Sequence, residues 1–302
     1  MNLTDILNSK TLFVAHDSGG ANILISLSKK LKINSYFDFS GPALNLLKAN
    51  KILSTNGKTI LKEHGIEFLV TGTSASSKFE LDYLKLAKTN NVPSISVLDN
   101  WSDYRHRFTR NTVEVLPDSI WVCDDFAFSI AQNQFQNIAI NKIPNFYIEE
   151  ILQNVTPRNE LIAAKKVNSI LYVCEPPGNL AQNVSKNPNY FGYSEFEAIS
   201  FFLNNLFTVF PNCKKLIFRL HPSNPKLPLD ISKIDYAGVE VTISNLDLSS
   251  DISQVDAVVG TNSMALFIGM LSNRLSISAI PPNGYPCTIP DKRIIDFKTL
   301  LV

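Results

Sequence analysis

Four cysteines, three methionines, two tryptophans and four histidines are a sparse supply for 302 residues. Cys123, Cys174, Cys213 and Cys287 lie far apart with no paired metal-ligand spacing. The first three sit in or beside apolar runs, which suits reduced, buried thiols. No apolar stretch reaches the about 18 residues of a membrane span. The start, Met1 to Asp5, is polar and lacks the basic region and apolar segment of a signal peptide, so a cytoplasmic location is expected. A net charge of +1 provides no global field to draw in nucleic acid. Local clusters at Lys29, Lys30 and Lys32, and at Lys165 and Lys166, leave room for peripheral contact with the inner face of a membrane. There is no P-loop, no Gly-x-Ser-x-Gly turn, no His-Glu-x-x-His pair and no Gly-x-Gly-x-x-Gly fingerprint. Internal repeats and low-complexity tracts are absent too.

What is present is ordinary globular chemistry, 45% apolar and 18% charged, in a chain long enough for one large or two medium domains. The most informative stretch is Val255 to Pro282. A short apolar run, Ala257 to Val259, has the character of a buried parallel strand. It breaks at Gly260-Thr261-Asn262-Ser263, helical spacing follows through Leu271, and a second apolar run, Leu275 to Ile280, ends in two prolines. A turn of this kind lies at the carboxyl end of a strand, where ligands of open α/β sheets bind. The free N–H groups and dipole of the helix start favour an anion. Thr261, Asn262 and Ser263 offer hydroxyls and an amide to a phosphate. The plainer alternative is that one of them caps the helix. Upstream, the strand Lys214 to Leu220 runs into His221-Pro222, where proline ends the strand and fixes the turn that carries the imidazole.

The strand-His-Pro turn followed by Gly260-Thr261-Asn262-Ser263-Met264-Ala265-Leu266 resembles the nucleotide-binding half of GT-B glycosyltransferases. It looks most similar to the bacterial sialyltransferase-like and Kdo-transferase-like groups that use CMP-activated sugars, over roughly Lys214 to Pro282. Related His-Pro turns occur in polyol-phosphate transferases. The resemblance implies an α/β, GT-B-like fold of two Rossmann-like domains facing across a cleft. It also implies a donor phosphate held by the His-Pro and Ser/Thr elements, and neither metal nor cofactor. A metal-binding Asp-x-Asp is not seen; Asp124-Asp125 is adjacent rather than spaced.

In the first half, Thr11 to Ala15 reads as a strand, followed by His16-Asp17-Ser18-Gly19-Gly20 and an apolar helix to about Leu31. The glycines let a ligand approach the backbone closely, or simply make the turn that Asp17 or Ser18 caps. Further βα units follow, with strands at Ser35 to Phe39, Glu67 to Val70, Ser94 to Leu98, Ser119 to Cys123 and Ile138 to Ile143. The strand ending at Leu98 opens the richest polar-aromatic run of the chain, Asp99 to Phe108. It could supply a base, an anion clamp and a stacking ring, or be a loop of mutually paired charges. Pro144 to Arg158 has broken periodicity, which places an acceptor-side domain at 1–150 and a nucleotide-sugar domain at 151–302. In the latter we expect a helix over Glu160 to Val167, a strand Ser169 to Cys174 ending at Glu175-Pro176-Pro177, a loop from Leu180 to Tyr193, and a helix opened by the capping box Ser194-x-x-Glu197. The tail from Asp291 has helical character, which in GT-B proteins packs back on the first domain.

The chemistry follows from these placements. The helix start at Ser263 and a protonated His221 would stabilise the leaving phosphate, with Gly260, Thr261, Asn262, Glu175 and Pro222 around the donor. Asp99 is the first choice of base, then Asp17 and Asp103. His16, Ser18, Gly19, Gly20, Trp101, Asp103 and Arg105 lie on the acceptor side. The activity expected is transfer of a sugar, a CMP-activated nonulosonic acid of sialic-acid-like or Kdo-like type, onto a cell-surface glycan or protein. Alternatives are a UDP-sugar or CDP-polyol transferase, a sugar-nucleotide epimerase or hydrolase, and a non-catalytic nucleotide-sugar-binding subunit.

Overall fold

A computed structural model describes residues 1–63, 65–221, 224 and 238–301, the side chains at 179, 180, 183 and 184 excepted. The chain divides into two compact units, Met1–Tyr147 and Ile148–Val302.

The first unit runs β1 (Thr11–Ala15), α1 (Ser18–Leu31), β2 (Ser35–Phe39), α2 (Gly41–Ala49), α3 (Gly57–Glu63), β3 (Phe68–Thr71), α4 (Phe79–Thr89), β4 (Ser94–Val97), α5 (Tyr104–Arg107), the short strands β5 (Thr109–Arg110) and β6 (Val113–Glu114), β7 (Ser119–Val122), α6 (Asp125–Gln134) and β8 (Ala139–Lys142). Helix α7 (Phe146–Asn154) crosses into the second unit. Six strands form one parallel sheet in the order β2-β1-β3-β4-β7-β8. The central strands β1, β4 and β7 are buried at every position, as expected of strands covered on both faces. The order reverses between β1 and β3, a topological switch point. Here the start of α1 touches the end of β3 backbone to backbone. A Cβ on Gly20 would stand 2.9 Å from the Cα of Gly72, so only glycine allows this approach.

The second unit runs β9 (Ser169–Val173), α8 (Pro177–Ser185), α9 (Glu195–Asn204), α10 (Leu206–Val209), β10 (Lys215–Arg219), β11 (Glu240–Ile243), α11 (Leu248–Ser253), β12 (Ala257–Gly260), α12 (Met264–Leu271), β13 (Leu275–Ser278) and β14 (Ile295–Asp296). Its parallel sheet has the order β11-β10-β9-β12-β13-β14, the doubly wound Rossmann order, with its switch point between β9 and β12. Tyr172, Phe202, Phe210, Phe218 and Phe297 form the aromatic part of its core. The fold is therefore α/β with two Rossmann-like units.

Three local expectations are corrected. Residues 160–167 hold only a 3-10 turn, Ala164–Lys166, and Leu161 is 60% exposed. Ile162 and Ala164 pack on the core while Leu161 and Ala163 face out, an alternation of period two that presents no continuous helical face, and packing of such a face is what stabilises short helices. The expected loop from Leu180 begins within α8, which starts at Pro177, a position where the missing N–H of proline costs nothing. The tail is not a long helix. Ile295 and Asp296 pair with Ile277 and Ser278 of β13, and Phe297 is fully buried, so edge pairing and core packing override local helical propensity. Among the described residues no helix is long and apolar enough to cross a membrane.

Candidate functional site

The carboxyl ends of three neighbouring strands, β10, β9 and β12, gather polar groups in the second unit. Strand β12 ends at Gly260, where a Cβ would lie 3.1 Å from the carbonyl oxygen of Val173 on β9. Beyond it the backbone turns into α12, and Ser263 caps that helix, its Oγ accepting from the Ala265 N–H at 3.3 Å. The capping alternative therefore holds for Ser263. The anion place beside it is taken by Glu175 from the end of β9. Its Oε2 accepts from the Thr261 N–H at 3.1 Å, the Thr261 hydroxyl at 2.5 Å and the Asn262 N–H at 2.7 Å. Burial raises the affinity of the Glu175 carboxyl for a proton, and these hydrogen bonds oppose the rise. Asn262 is exposed but not loose. Its amide donates to Thr288 Oγ1 at 3.0 Å, and its Oδ1 accepts from the Thr288 N–H at 2.9 Å, tying the loop after β13 to this turn.

His221 follows β10 directly, and its carbonyl accepts from the Asn224 N–H at 2.8 Å. Asn224 donates in turn to Glu195 Oε2 at 2.8 Å, at the start of α9. Burial lowers the affinity of His221 for a proton, so the imidazole is neutral at neutral pH rather than the cation the sequence reading expects. It can still donate a hydrogen bond. Burial pushes Glu195 up to about 7, with the Asn224 bond opposing and the Glu175 charge adding to the rise. Pro222 lies outside the described residues.

In the first unit the ends of β1, β3 and β4 lie side by side. His16 Nδ1 stands 2.6 Å from Asp17 Oδ1, and both side chains are partly open to solvent. The far edge of the imidazole rests on Gly41, where a Cβ would be 2.4 Å from Nε2 and φ is +52°. Ser18, Gly19 and Gly20 form the first turn of α1. Asp99 reaches this turn from β4, its Oδ2 lying where a Cβ of Gly19 would be.

Several expectations about the run after β4 change here. Asp99 is ion-paired with Arg107 at 2.7 Å, with only 13% of its side chain exposed, so it braces α1 rather than standing as a free base. Arg107 also donates to Thr73 Oγ1 at 3.0 Å. The Trp101 ring is 7% exposed and its indole N–H donates to Asp124, which leaves no open face for stacking. Arg105 pairs with Glu114 at 2.7 Å and donates to the Gln134 carbonyl at 2.9 Å. It lines a cavity of about 320 Å³ with Leu116, Phe135 and Ile138 instead of joining Asp99. Asp103 is exposed and starts α5 with φ at +56°.

Two residues that sequence reasoning passed over complete this cluster. Glu80, in the first turn of α4, is 3% exposed. Its Oε1 accepts from the His16 N–H at 2.8 Å, whereas Oε2 is buried without a hydrogen-bond partner. Burial pushes its carboxyl up to about 7, hydrogen bonds from its own and the His16 backbone oppose this, and the Asp17 charge adds to the rise. Arg110 is close enough to feel the charges of Glu80 and Asp17, and its guanidinium donates to the carbonyls of Ser74 and Ser77 at 2.7 and 2.9 Å. Glu80 reads in sequence as an ordinary surface position of a helix, and no local pattern distinguishes it.

The Glu175 contacts make a direct prediction. Glu175→Ala strands three donors, but the exposed turn lets water reach some of them, so we expect a loss of about 1–2 kcal/mol. Glu175→Gln keeps the acceptor and removes a charge that burial disfavours, so its stability at pH 7 should match the wild type or exceed it. Urea titration of both variants checks this, and equal losses in the two would refute it.

No group of three or more His, Cys, Asp or Glu side chains that could hold a metal ion occurs among the described residues. No family model matches the sequence, and no curated protein matches it. Solved structures resemble the chain to different degrees. A protein described as a UDP-N-acetylglucosamine 2-epimerase from Listeria monocytogenes is 12% identical, with a TM-score of 0.59 over 90% of this chain and 79% of that one. The wall teichoic acid polymerase TagF is 11% identical, with a TM-score of 0.44 over 89% and 69%. Thermosulfurimonas dismutans KpsC, a beta Kdo 2,4 transferase, is 10% identical, with a TM-score of 0.35 over 94% and 83%. At such identities the first likeness establishes the fold, an α/β architecture of two Rossmann-like units.

Proposed function

We propose that this chain is a nucleotide-sugar enzyme that transfers a glycosyl group, with the donor held by the second unit. The observation that carries the proposal is the turn from β12 to α12. At the switch point of a Rossmann-ordered sheet, the start of α12 collects a carboxylate on three converging donors. The same donors suit a phosphate oxygen. Glu175 need not exclude a phosphate, because burial already disfavours its charged form and an incoming anion would favour proton uptake further, turning the carboxylate into an acid that donates to the phosphate. The neutral His221 supplies a further donor near the leaving group, and a phosphate beside it would favour its protonated form. Charge developing on the leaving phosphate is then met by fixed dipoles.

For the base, geometry moves the choice from Asp99 to the His16–Asp17 pair. Asp17 orients the imidazole through Nδ1, as a carboxylate does for a general-base histidine. Asp99 and Arg107 hold the turn that presents this pair. The donor we favour remains a CMP-activated nonulosonic acid, from the resemblance around His221 and Gly260 to Leu266, with a glycan or protein as acceptor. A second reading is epimerisation or hydrolysis of a sugar nucleotide. The fold likeness to the Listeria protein, described as an epimerase, favours it, as do the acids Glu80 and Asp17 beside His16.

Calorimetric titration with CMP, CDP, UDP and GDP, repeated on His221→Ala and Ser263→Ala, tests the proposal. We expect selective CMP binding, weakened about tenfold or more in each variant, the loss of one or two hydrogen bonds to a charged group. Selective UDP binding would keep the site and replace the donor. No binding of any of the four at millimolar concentration would remove the basis of the proposal. Product analysis with a bound donor separates transfer from epimerisation.

A further inference from the structure

Charge is nearly balanced over the chain, with 28 basic and 27 acidic residues, but not along it. Between Ser18 and Lys62 there are seven lysines and a single acid, Asp38. That acid is occupied internally: its Oδ2 accepts from the Gly57 N–H at 2.9 Å and from the Tyr83 hydroxyl. Folding gathers five of the lysines. Helices α1 and α2 pack together, and Lys29 Nζ donates to Asn50 Oδ1 at 2.5 Å, which ties their carboxyl-terminal ends. Lys29, Lys30, Lys32, Lys48 and Lys51 are all exposed around this junction. Leu53 follows at 86% exposure, the largest value among the exposed large apolar side chains.

Lysines at helix carboxyl ends are commonly explained by the helix dipole. That accounts for Lys29, Lys30 and Lys48. It does not account for Lys32 and Lys51, which lie past the helix ends with φ of +54° and +56°, a conformation that glycine or asparagine adopts more cheaply. Nor does it account for an apolar side chain left in water beside them. A cluster of exposed lysines with a protruding leucine beside it matches a surface with anionic headgroups over an apolar interior. The face also lies at the end of α1 opposite to His16, Asp17 and the Gly19-Gly20 turn, so docking would leave those groups clear.

We propose that this face of the first unit docks on an anionic lipid bilayer, with the lysines against headgroup phosphates and Leu53 inserted beneath them. The test uses the full chain and vesicles of phosphatidylcholine containing 30 mol% phosphatidylglycerol, in a flotation assay at about 100 mM salt, where a Debye length of about 10 Å leaves surface attraction effective. Binding should depend on phosphatidylglycerol and fall steeply at about 500 mM salt. The triple variant Lys30→Gln, Lys32→Gln, Lys51→Gln should bind about 100-fold more weakly, since each lysine near such a surface contributes about a fivefold factor. Leu53→Asp should weaken binding roughly tenfold. Lys165→Gln with Lys166→Gln, the other basic cluster, should bind as the wild type does. Thermal unfolding identical to the wild type would show that the triple variant keeps its fold. Three results overturn the proposal: no phosphatidylglycerol-dependent binding, binding unchanged in the triple variant, or tighter binding to duplex DNA than to the vesicles. None of these depends on whether a nucleotide sugar binds the second unit.

Discussion

Arg274→Met is expected to cost the second unit about 4 kcal/mol, more than half the stability of many domains of this size. Arg274 is 1% exposed, and the groups it meets are backbone carbonyls rather than an acid. Its Nε donates to the carbonyls of Ile252 and Val255, both at 3.1 Å, its Nη1 to Ser272 at 2.6 Å and its Nη2 to Thr156 at 2.8 Å. The guanidinium thereby joins the end of α11, the end of α12 and the segment that enters the unit. Methionine fills much of the same space but offers no donor. Each buried carbonyl left short of a partner costs about 1–3 kcal/mol, reduced where another N–H already reaches it, which gives the figure above. Arg274→Lys retains the charge but cannot span four carbonyls, so it should recover less than half. Both tryptophans, Trp101 and Trp121, belong to the first unit, so their fluorescence reports that unit alone. Urea unfolding followed by circular dichroism should therefore show a destabilised component while the tryptophan transition stays in place. A loss below about 1 kcal/mol would mean that the carbonyls find other partners.

Glu80→Gln should do the reverse in the first unit, stabilising it at alkaline pH. Folded Glu80 keeps its proton up to about 7, against 4.5 for the ordinary carboxyl. Between those values the folded chain binds more protons than the unfolded chain, so stability falls as pH rises and the contribution is lost above about 7. The displacement corresponds to roughly 3 kcal/mol. Glutamine resembles the protonated acid and still accepts from the His16 N–H, but its amide N–H group faces the place where Oε2 has no partner. Allowing roughly 1 kcal/mol for that group leaves a gain of about 2 kcal/mol at pH 8. Below pH 4.5, where both side chains are neutral, the variant should be no more stable than the wild type. The difference between the two tryptophan-monitored curves, measured from pH 4 to pH 8, gives the result. A pH-independent difference would mean that Glu80 titrates alike in the folded and the unfolded chain and would refute the burial argument.

Both residues show where local pattern stops being informative. Arg274 lies between the helix and strand of the most legible stretch in the chain, yet nothing in Ser272-Asn273-Arg274 signals a buried cation. Its burial follows from carbonyl groups at three distant places converging on one point. Glu80 sits in a helix whose sequence does not single it out, and its side chain is buried where α4 meets the end of β1 and accepts from the His16 N–H. The run after β4 presents the opposite case. Asp99 to Phe108 stands out by composition as the richest candidate, but the fold spends much of it on internal pairing, as Asp99 with Arg107 and Trp101 with Asp124. Exposure separates a ligand contact from a brace, and exposure is a property of the packed chain.

The α/β class, the strands that open most βα units and the turns at their carboxyl ends are all legible in the linear chain. Short buried parallel strands and turn-forming residues leave local signals of period and composition, so His16 to Gly20, Glu175, His221 and Gly260 to Ser263 can be recognised as strand-end groups. Which strands become neighbours, and with that which groups meet, is decided by packing. The order β10-β9-β12 brings Glu175 onto the N–H groups of Thr261 and Asn262, two residues more than eighty positions away. Pairing of β14 with β13 turns an apparent tail helix into an edge strand. Hydrogen bonds and burial across such separations are set by sheet order, which depends on the packing of the whole unit and leaves no mark on any single stretch of chain.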